Sequence, residues 1–305
     1  MKRAYRNRDL IKTLNPGTDY LRIYQLTTLY DFPTDMRVGL NLAFYRIFAI
    51  PHMADLLVQS GEIIDRPKKR AYDTGLIMYE IIANGFDHTR SREMIRLLNR
   101  IHKPWPISND DYLYVLAALM VVPLQWVDRR GWRPLLVAER DASVNFYRHI
   151  GRLMAIRNAP TTYADAERLV HDFERQHLGP SPAGRRLMES TQQIIVRKLP
   201  GPTKRIGSAL TSALFDQPHL TDALGLPTPN WPLARAVDGV FFARKVFRRL
   251  RPAAAESWFE PGRSAGSVYP QGYSLHQLGP PAGRADAPRP AKQAPATAER
   301  PGSGR

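Results

Sequence analysis

Most apolar residues in this sequence recur at intervals of three and four, and stretches with the alternating period of a strand are scarce. A side chain returns to the same side of an α-helix every 3.6 residues, so this spacing selects helices that bury one stripe each. The expected class is therefore all-α: a single multi-helix domain over residues 1–280, followed by a tail. Proline and glycine divide the helical pattern. Segments 40–48 and 53–58 flank Pro51, and a long helix is expected from Pro67 to Asn84, where Asn84-Gly85 supplies a stop. The next begins around 87–91 and ends before Pro104, and Asn109-Asp110-Asp111 opens an apolar helix that reaches Pro123. Further helices are expected over 139–154, 164–176, 187–199 and 234–250. Residues 281–305 are almost wholly Pro, Ala, Gly and Arg with other polar residues, too poor in large apolar side chains to fold, and are expected to be disordered.

Composition removes whole classes of chemistry. The chain has no cysteine, which excludes disulfides, thiolate nucleophiles, iron–sulfur clusters and thiolate-ligated haem. No HExxH, GxSxG, P-loop or GxGxxG occurs, and the single ExxH, Glu174 to His177, lacks the second copy a di-iron bundle needs. The basic N-terminal stretch has no apolar run behind it, and the longest apolar run, 112–127, falls short of a membrane span of about 20 residues. A cytoplasmic protein is expected. The net charge of +16 asks for a partner, but the basic residues are dispersed and no nucleic-acid-binding signature accompanies them, so nucleic acid is not expected. The stretch 234–251 gathers Arg244, Lys245, Arg248, Arg249 and Arg251 beside an apolar side of Val237, Val240, Phe241, Phe247 and Leu250. It reads either as a core-packing helix with a solvated basic face or as a basic edge resting on an anionic membrane.

Two helices carry residues that stand out from their surroundings. On 67–84, Arg70 and Thr74 lie one turn apart on a stripe otherwise made of Ile77, Met78 and Ile81. In the plain structural reading Arg70 snorkels and Thr74 bonds back to a carbonyl. On the following helix His102 shares a face with Ile95 and Leu98. It is either a satisfied core histidine or an axial ligand in a dry pocket. His52, at the break after Pro51, either caps a helix or approaches that pocket, and the other histidines lack ligand spacing.

The pattern Arg70-x-x-x-Thr74, followed by His102 after 27 intervening residues, resembles the core of the latex-clearing (rubber) oxygenases. Residues 101–127 (IHKPWPISNDDYLYVLAALMVVPLQWV), 131–156 (GWRPLLVAERDASVNFYRHIGRLMAI) and 270–279 (PQGYSLHQLG) are similar to the wider family that includes the mycophenolic-acid-type oxygenases. The resemblance covers roughly 25–280. It implies a helical fold around one haem b, with His102 as the proximal iron ligand and Arg70 and Thr74 on the distal side. It also implies oxidative cleavage of an isoprenoid carbon–carbon double bond by dioxygen. Where latex-clearing oxygenases place a lysine before the distal threonine, this chain has Asp73, which implies altered distal chemistry and a smaller lipid or prenyl substrate in place of a polymer. For the acid–base carboxylate, Asp55 and Glu62 are equal candidates. Two other readings remain beside this one: a haem-binding protein without oxygenase activity, and a cofactor-free helical scaffold at a membrane surface.

Overall fold

The helical period is realised as fourteen α-helices joined by short turns, in a computed structural model that describes residues 3–196, 207–215, 217–228, 230–263 and 265–280. Among these residues there is no β-strand, only an isolated antiparallel bridge between Ala265 and Tyr269. The expected tail, 281–305, and the end of the helix expected over 187–199 lie outside the described residues.

Helix α8 (Asn109–Arg130) is the axis of the core. Ser108 caps it: the Asp111 amide donates to Ser108 Oγ at 3.1 Å, and the Ser108 amide donates to Asp111 Oδ2 at 3.2 Å. The sequence predicts that this helix stops at Pro123, yet it runs on to Arg130. An internal proline removes one ladder hydrogen bond and costs about 3 kcal/mol. Here Met120, Val121 and Val122 before it and Leu124, Trp126 and Val127 after it are all buried, so packing on both sides holds the helix together. Helix α3 (Pro33–Phe48) crosses α8 at this point, where a Cβ on Gly39 would lie 2.4 Å from Pro123 Cα; only glycine permits that approach. Although α8 is long and apolar enough to span a membrane, 72% of its apolar window is buried inside the fold.

Around α8 pack α9 (Val137–Leu153) and α10 (Tyr163–His177), and against α3 lies α4 (Pro51–Ser60). Helix α11 (Pro182–Val196) then joins α4 to α5 (Glu62–Asp65) and α6 (Pro67–Asn84). The chain turns at Gly85, in the left-handed region at φ 75°, into α7 (Thr89–His102). Helices α1 (Arg6–Ile11), α2 (Tyr20–Gln25) and the π-helical turn Leu26–Asp31 precede α3, and α12 (Gly207–Ser212), α13 (Pro218–Ala223) and α14 (Trp231–Leu250) follow α11. The expected boundaries of α6 agree with the structure, because Pro67 at the first turn and Gly85 at the end are strong punctuation. The segments α1, α2, α12 and α13 are too short to show a helical period, and α3 begins seven residues earlier than its apolar pattern predicts.

The described residues of 259–279 have no helix beyond a single turn at Leu275–Gln277, and they are clasped onto α6. Tyr269 Oη donates to Asp73 Oδ1 at 2.6 Å, and Tyr273 Oη donates to Glu80 Oε1 at 2.6 Å. The Gly279 amide adds a bond to Asp73 at 3.0 Å, and Gly262 adds one to Glu80 at 3.0 Å. Arg90 from α7 closes the second clasp with both guanidinium arms on Glu80, at 2.9 and 2.6 Å. Helix α6 is thereby held between this strap and the rest of the bundle.

Candidate functional site

Arg70 and Thr74 meet on α6 as their spacing predicts. The Arg70 guanidinium donates to Thr74 Oγ1, and the Thr74 hydroxyl donates in turn to the Arg70 carbonyl at 2.9 Å. Both functions of the threonine hydroxyl are thus spent on aiming the arginine. The other Arg70 nitrogens have no protein acceptor among the described residues and are not sealed from solvent-sized space. Burial lowers the Arg70 pKa, partly offset by the negative charges of Asp73 and Glu62, and the group stays cationic. A desolvated cation whose donors are mostly unclaimed is poised to receive negative charge.

His102 closes α7 on the facing side. Its Nδ1 lies 2.7 Å from the Leu98 carbonyl, so the proton sits on Nδ1 and the Nε2 lone pair is left for an outside partner. Its ring packs edge-on against Tyr112 at 5.9 Å. Burial is the main cause that lowers the His102 pKa below 6.5, and the nearby Arg70 cation lowers it further. That coupling brings the three sequence-predicted residues, from two helices, to one site. His102 and Arg70 are both half-buried by accessible area, and burial is the largest cause of both pKa shifts.

The two carboxylates that the sequence leaves equal are separated by the fold. Asp55 is exposed on α4, whereas Glu62, on the short α5, pairs with Arg66 and stands near enough to Arg70 to act on its charge. Asp73 stands where the latex-clearing oxygenases place a lysine, and its partners lie away from Arg70 and His102. It is buried on the flank of α6 with Oδ1 taken by Tyr269 and Oδ2 by Lys69, at 2.5 Å, and Gly279. Its role is to anchor the strap, which the sequence does not reveal because the partners lie about 200 positions away. The one visible hint is a pair of carboxylates seven apart, Asp73 and Glu80, on a helix that otherwise buries apolar residues. His52 does not join the site: its Nε2 lies 2.7 Å from Asp111 Oδ1, with the His177 ring 5.8 Å away.

Among the described residues no three or more His, Asp or Glu side chains converge as a metal site would require. The single donor nitrogen at His102 suits a cofactor that brings its own equatorial ligands and asks the protein for one axial nitrogen.

Comparison with known proteins gives a consistent family. Residues 34–256 match the family described as ER-bound oxygenase mpaB/B'/Rubber oxygenase, catalytic domain. A protein named ER-bound oxygenase mpaB' from Penicillium brevicompactum is 23% identical, over 82% of this chain and 74% of its own length. ER-bound oxygenase mpaB from Penicillium roqueforti (strain FM164) is 23% identical, over 64% of this chain and 72% of its own. Among solved structures, a latex clearing protein in its closed state superposes with a TM-score of 0.57 at 16% identity, covering 81% of this chain and 73% of the other, which shows a common fold.

Proposed function

The chain belongs to the mpaB and rubber oxygenase catalytic-domain family, which makes it an oxidoreductase, and from that premise we propose that it is a haem b-dependent oxygenase cleaving a carbon–carbon double bond in an apolar, isoprenoid or lipid-like molecule. The observation that supports this most is a tautomer-fixed His102 on α7 with a desolvated Arg70 on α6 near enough for its charge to act on the imidazole.

In this reading His102 Nε2 would hold the haem iron, and the Leu98 carbonyl keeps the ring in the tautomer that presents it. Haem b bound there supplies the redox chemistry with dioxygen that protein side chains lack. The reaction balances without an external reductant: one oxygen atom goes to each carbon of the double bond, giving two carbonyl fragments. Arg70 stabilises the negative charge that develops on the reacting oxygen atoms, and Thr74 holds it in aim. Glu62, held by Arg66 and near enough to Arg70 to act on its charge, is the candidate for the acid–base carboxylate in this reading. Ile77 and Ile81, buried on the same stripe of α6, make that side of the site apolar, which suits an alkenyl chain better than a polar substrate. The protein is assigned to the cytoplasm, with peripheral contact to an anionic membrane from which such a substrate is drawn.

The test is the absorption spectrum of protein expressed with sufficient iron and haem precursor, followed by oxygen uptake with an unsaturated isoprenoid. Wild-type protein should show a Soret band and consume oxygen, and His102→Ala should fold but lose the band. Stoichiometric haem with an unchanged spectrum in His102→Ala removes His102 from the assignment.

A further inference from the structure

Helix α14 turns Arg244, Arg248 and Arg249 toward the body of the protein and leaves part of its apolar side chains outward. Arg244 grips the buried Asp35 with both nitrogens, each at 2.7 Å, Arg249 Nε donates to the Trp132 carbonyl at 2.7 Å, and Arg248 donates to the Asp31 carbonyl at 3.4 Å. Phe241 packs edge-on against Trp126 at 5.2 Å. Three cations of the basic edge, which the sequence leaves open to either solvent or lipid, are therefore used to fasten the helix to the body of the protein. On the other side Phe242, Val246 and Leu250, four apart, form an exposed row, with Gly239, Ala243 and Phe247 beside it. No α14 residue is buried; Phe242 is 66% exposed, Trp231 78% and Leu250 81%. Scattered exposed apolar residues are ordinary, but a continuous helical face of them marks an interaction surface. Beside it an apolar groove of about 340 Å³ opens between α12 and α14, lined by Leu210, Leu214, Leu233, Val237, Val240 and Phe241.

We propose that α14 and this groove are a lipid-docking surface: the helix lies in the plane of an anionic bilayer with its apolar row at the acyl boundary, and the groove receives one lipid chain. The proposal rests on the membrane contact in the functional reading above and names the face that makes it. Four observations select lipid over other occupants. The exposed cations Arg235 and Arg251 flank the row without an ion-pair partner among the described residues, and Arg251 lies 4.5 Å from the Phe247 ring, the posture of a cation reaching past an apolar face toward a headgroup. The chain's net charge of +16 attracts an anionic surface and repels a second copy apposed on the same cationic-flanked face. Residues 281–305 contain no apolar side chain larger than alanine or proline, so the chain's own tail has nothing to fill the row or the groove. An exposed tryptophan at the head of the helix suits the headgroup level of a bilayer.

The experiment is co-sedimentation of the full chain with vesicles of phosphatidylcholine alone or mixed with phosphatidylglycerol, at low and high salt. Binding to the mixed vesicles is expected, with a fraction that survives high salt because part of it is apolar. Phe242→Glu with Leu250→Glu should lower partitioning by roughly 10²-fold or more, since two large side chains lose their burial, with unchanged helical circular dichroism. Arg235→Glu with Arg251→Glu should remove only the salt-sensitive part. If the Phe242, Leu250 variant binds as wild type does, the face is wrong while the membrane contact stands. Recovery of wild-type protein in the supernatant under every condition overturns both. A concentration-dependent dimer that the same double variant abolishes would assign the face to a second copy and overturn the proposal.

Discussion

Two desolvated arginines in this protein are held in opposite ways. Arg133, 1% exposed, is enclosed by two carboxylates: it donates to Asp31 at 3.0 and 2.6 Å and to Glu139 at 2.8 and 2.8 Å. Burial works against its charge, but the bonds and charges of Glu139 and Asp31 outweigh that effect and its pKa is raised. Asn7 and Thr27 complete the set by donating to the same two carboxylates at 2.8 Å each. Arg70 has no carboxylate bonded to it, leans on one threonine hydroxyl, and has a lowered pKa. A cation with all its donors matched is part of the scaffold. One held in place with donors unclaimed keeps its electrostatic capacity for something that arrives later.

Substitutions can break this contrast. The largest effect is expected from Arg133→Ala, which strands Asp31 and Glu139 in the interior and should cost about 3–5 kcal/mol or prevent folding; denaturant unfolding measures it. If Arg70→Ala costs as much, the contrast fails, and Arg70 is structural too. The expected result for Arg70→Ala is a folded protein that retains haem and loses roughly 10²-fold in turnover, about 2.7 kcal/mol of transition-state stabilisation. Thr74→Val should give a smaller loss of the same kind, because it releases the aim of Arg70 without removing the charge.

Asp73 offers an intermediate case, a carboxylate satisfied entirely by the strap. Asp73→Ala should destabilise the protein by about 1–3 kcal/mol through the stranded Tyr269 hydroxyl and Gly279 amide. The haem spectrum should not change; a shifted spectrum would place position 73 at the iron side after all. The smallest effect concerns pH. Because the folded protein holds the His102 pKa below 6.5, the unfolded chain takes up that proton first. The stabilising contribution is complete above the ordinary histidine range and is lost as pH falls through the lower folded value. Apo wild-type protein should therefore lose more melting temperature on acidification than apo His102→Gln, and equal slopes would show that His102 is solvated in the apo protein.

The sequence alone determined what depends on neighbours within a helical turn or two. The all-α class, the limits of α6, the Arg70–Thr74 pairing and the placing of His102 with Leu98 follow from the 3.6-residue period and from proline and glycine punctuation, which act locally. The tertiary structure decided what depends on partners distant in the chain. Helix α8 passes Pro123 because buried side chains on both sides outweigh one missing bond. Asp73 is bound by Tyr269, Glu62 and not Asp55 stands near Arg70, and Arg244, Arg248 and Arg249 of α14 turn inward because Asp35 and two backbone carbonyls await them. An amphipathic pattern says that a helix has two faces; which of them meets the protein is settled by what the protein offers in return, and at α14 it offers acceptors for cations.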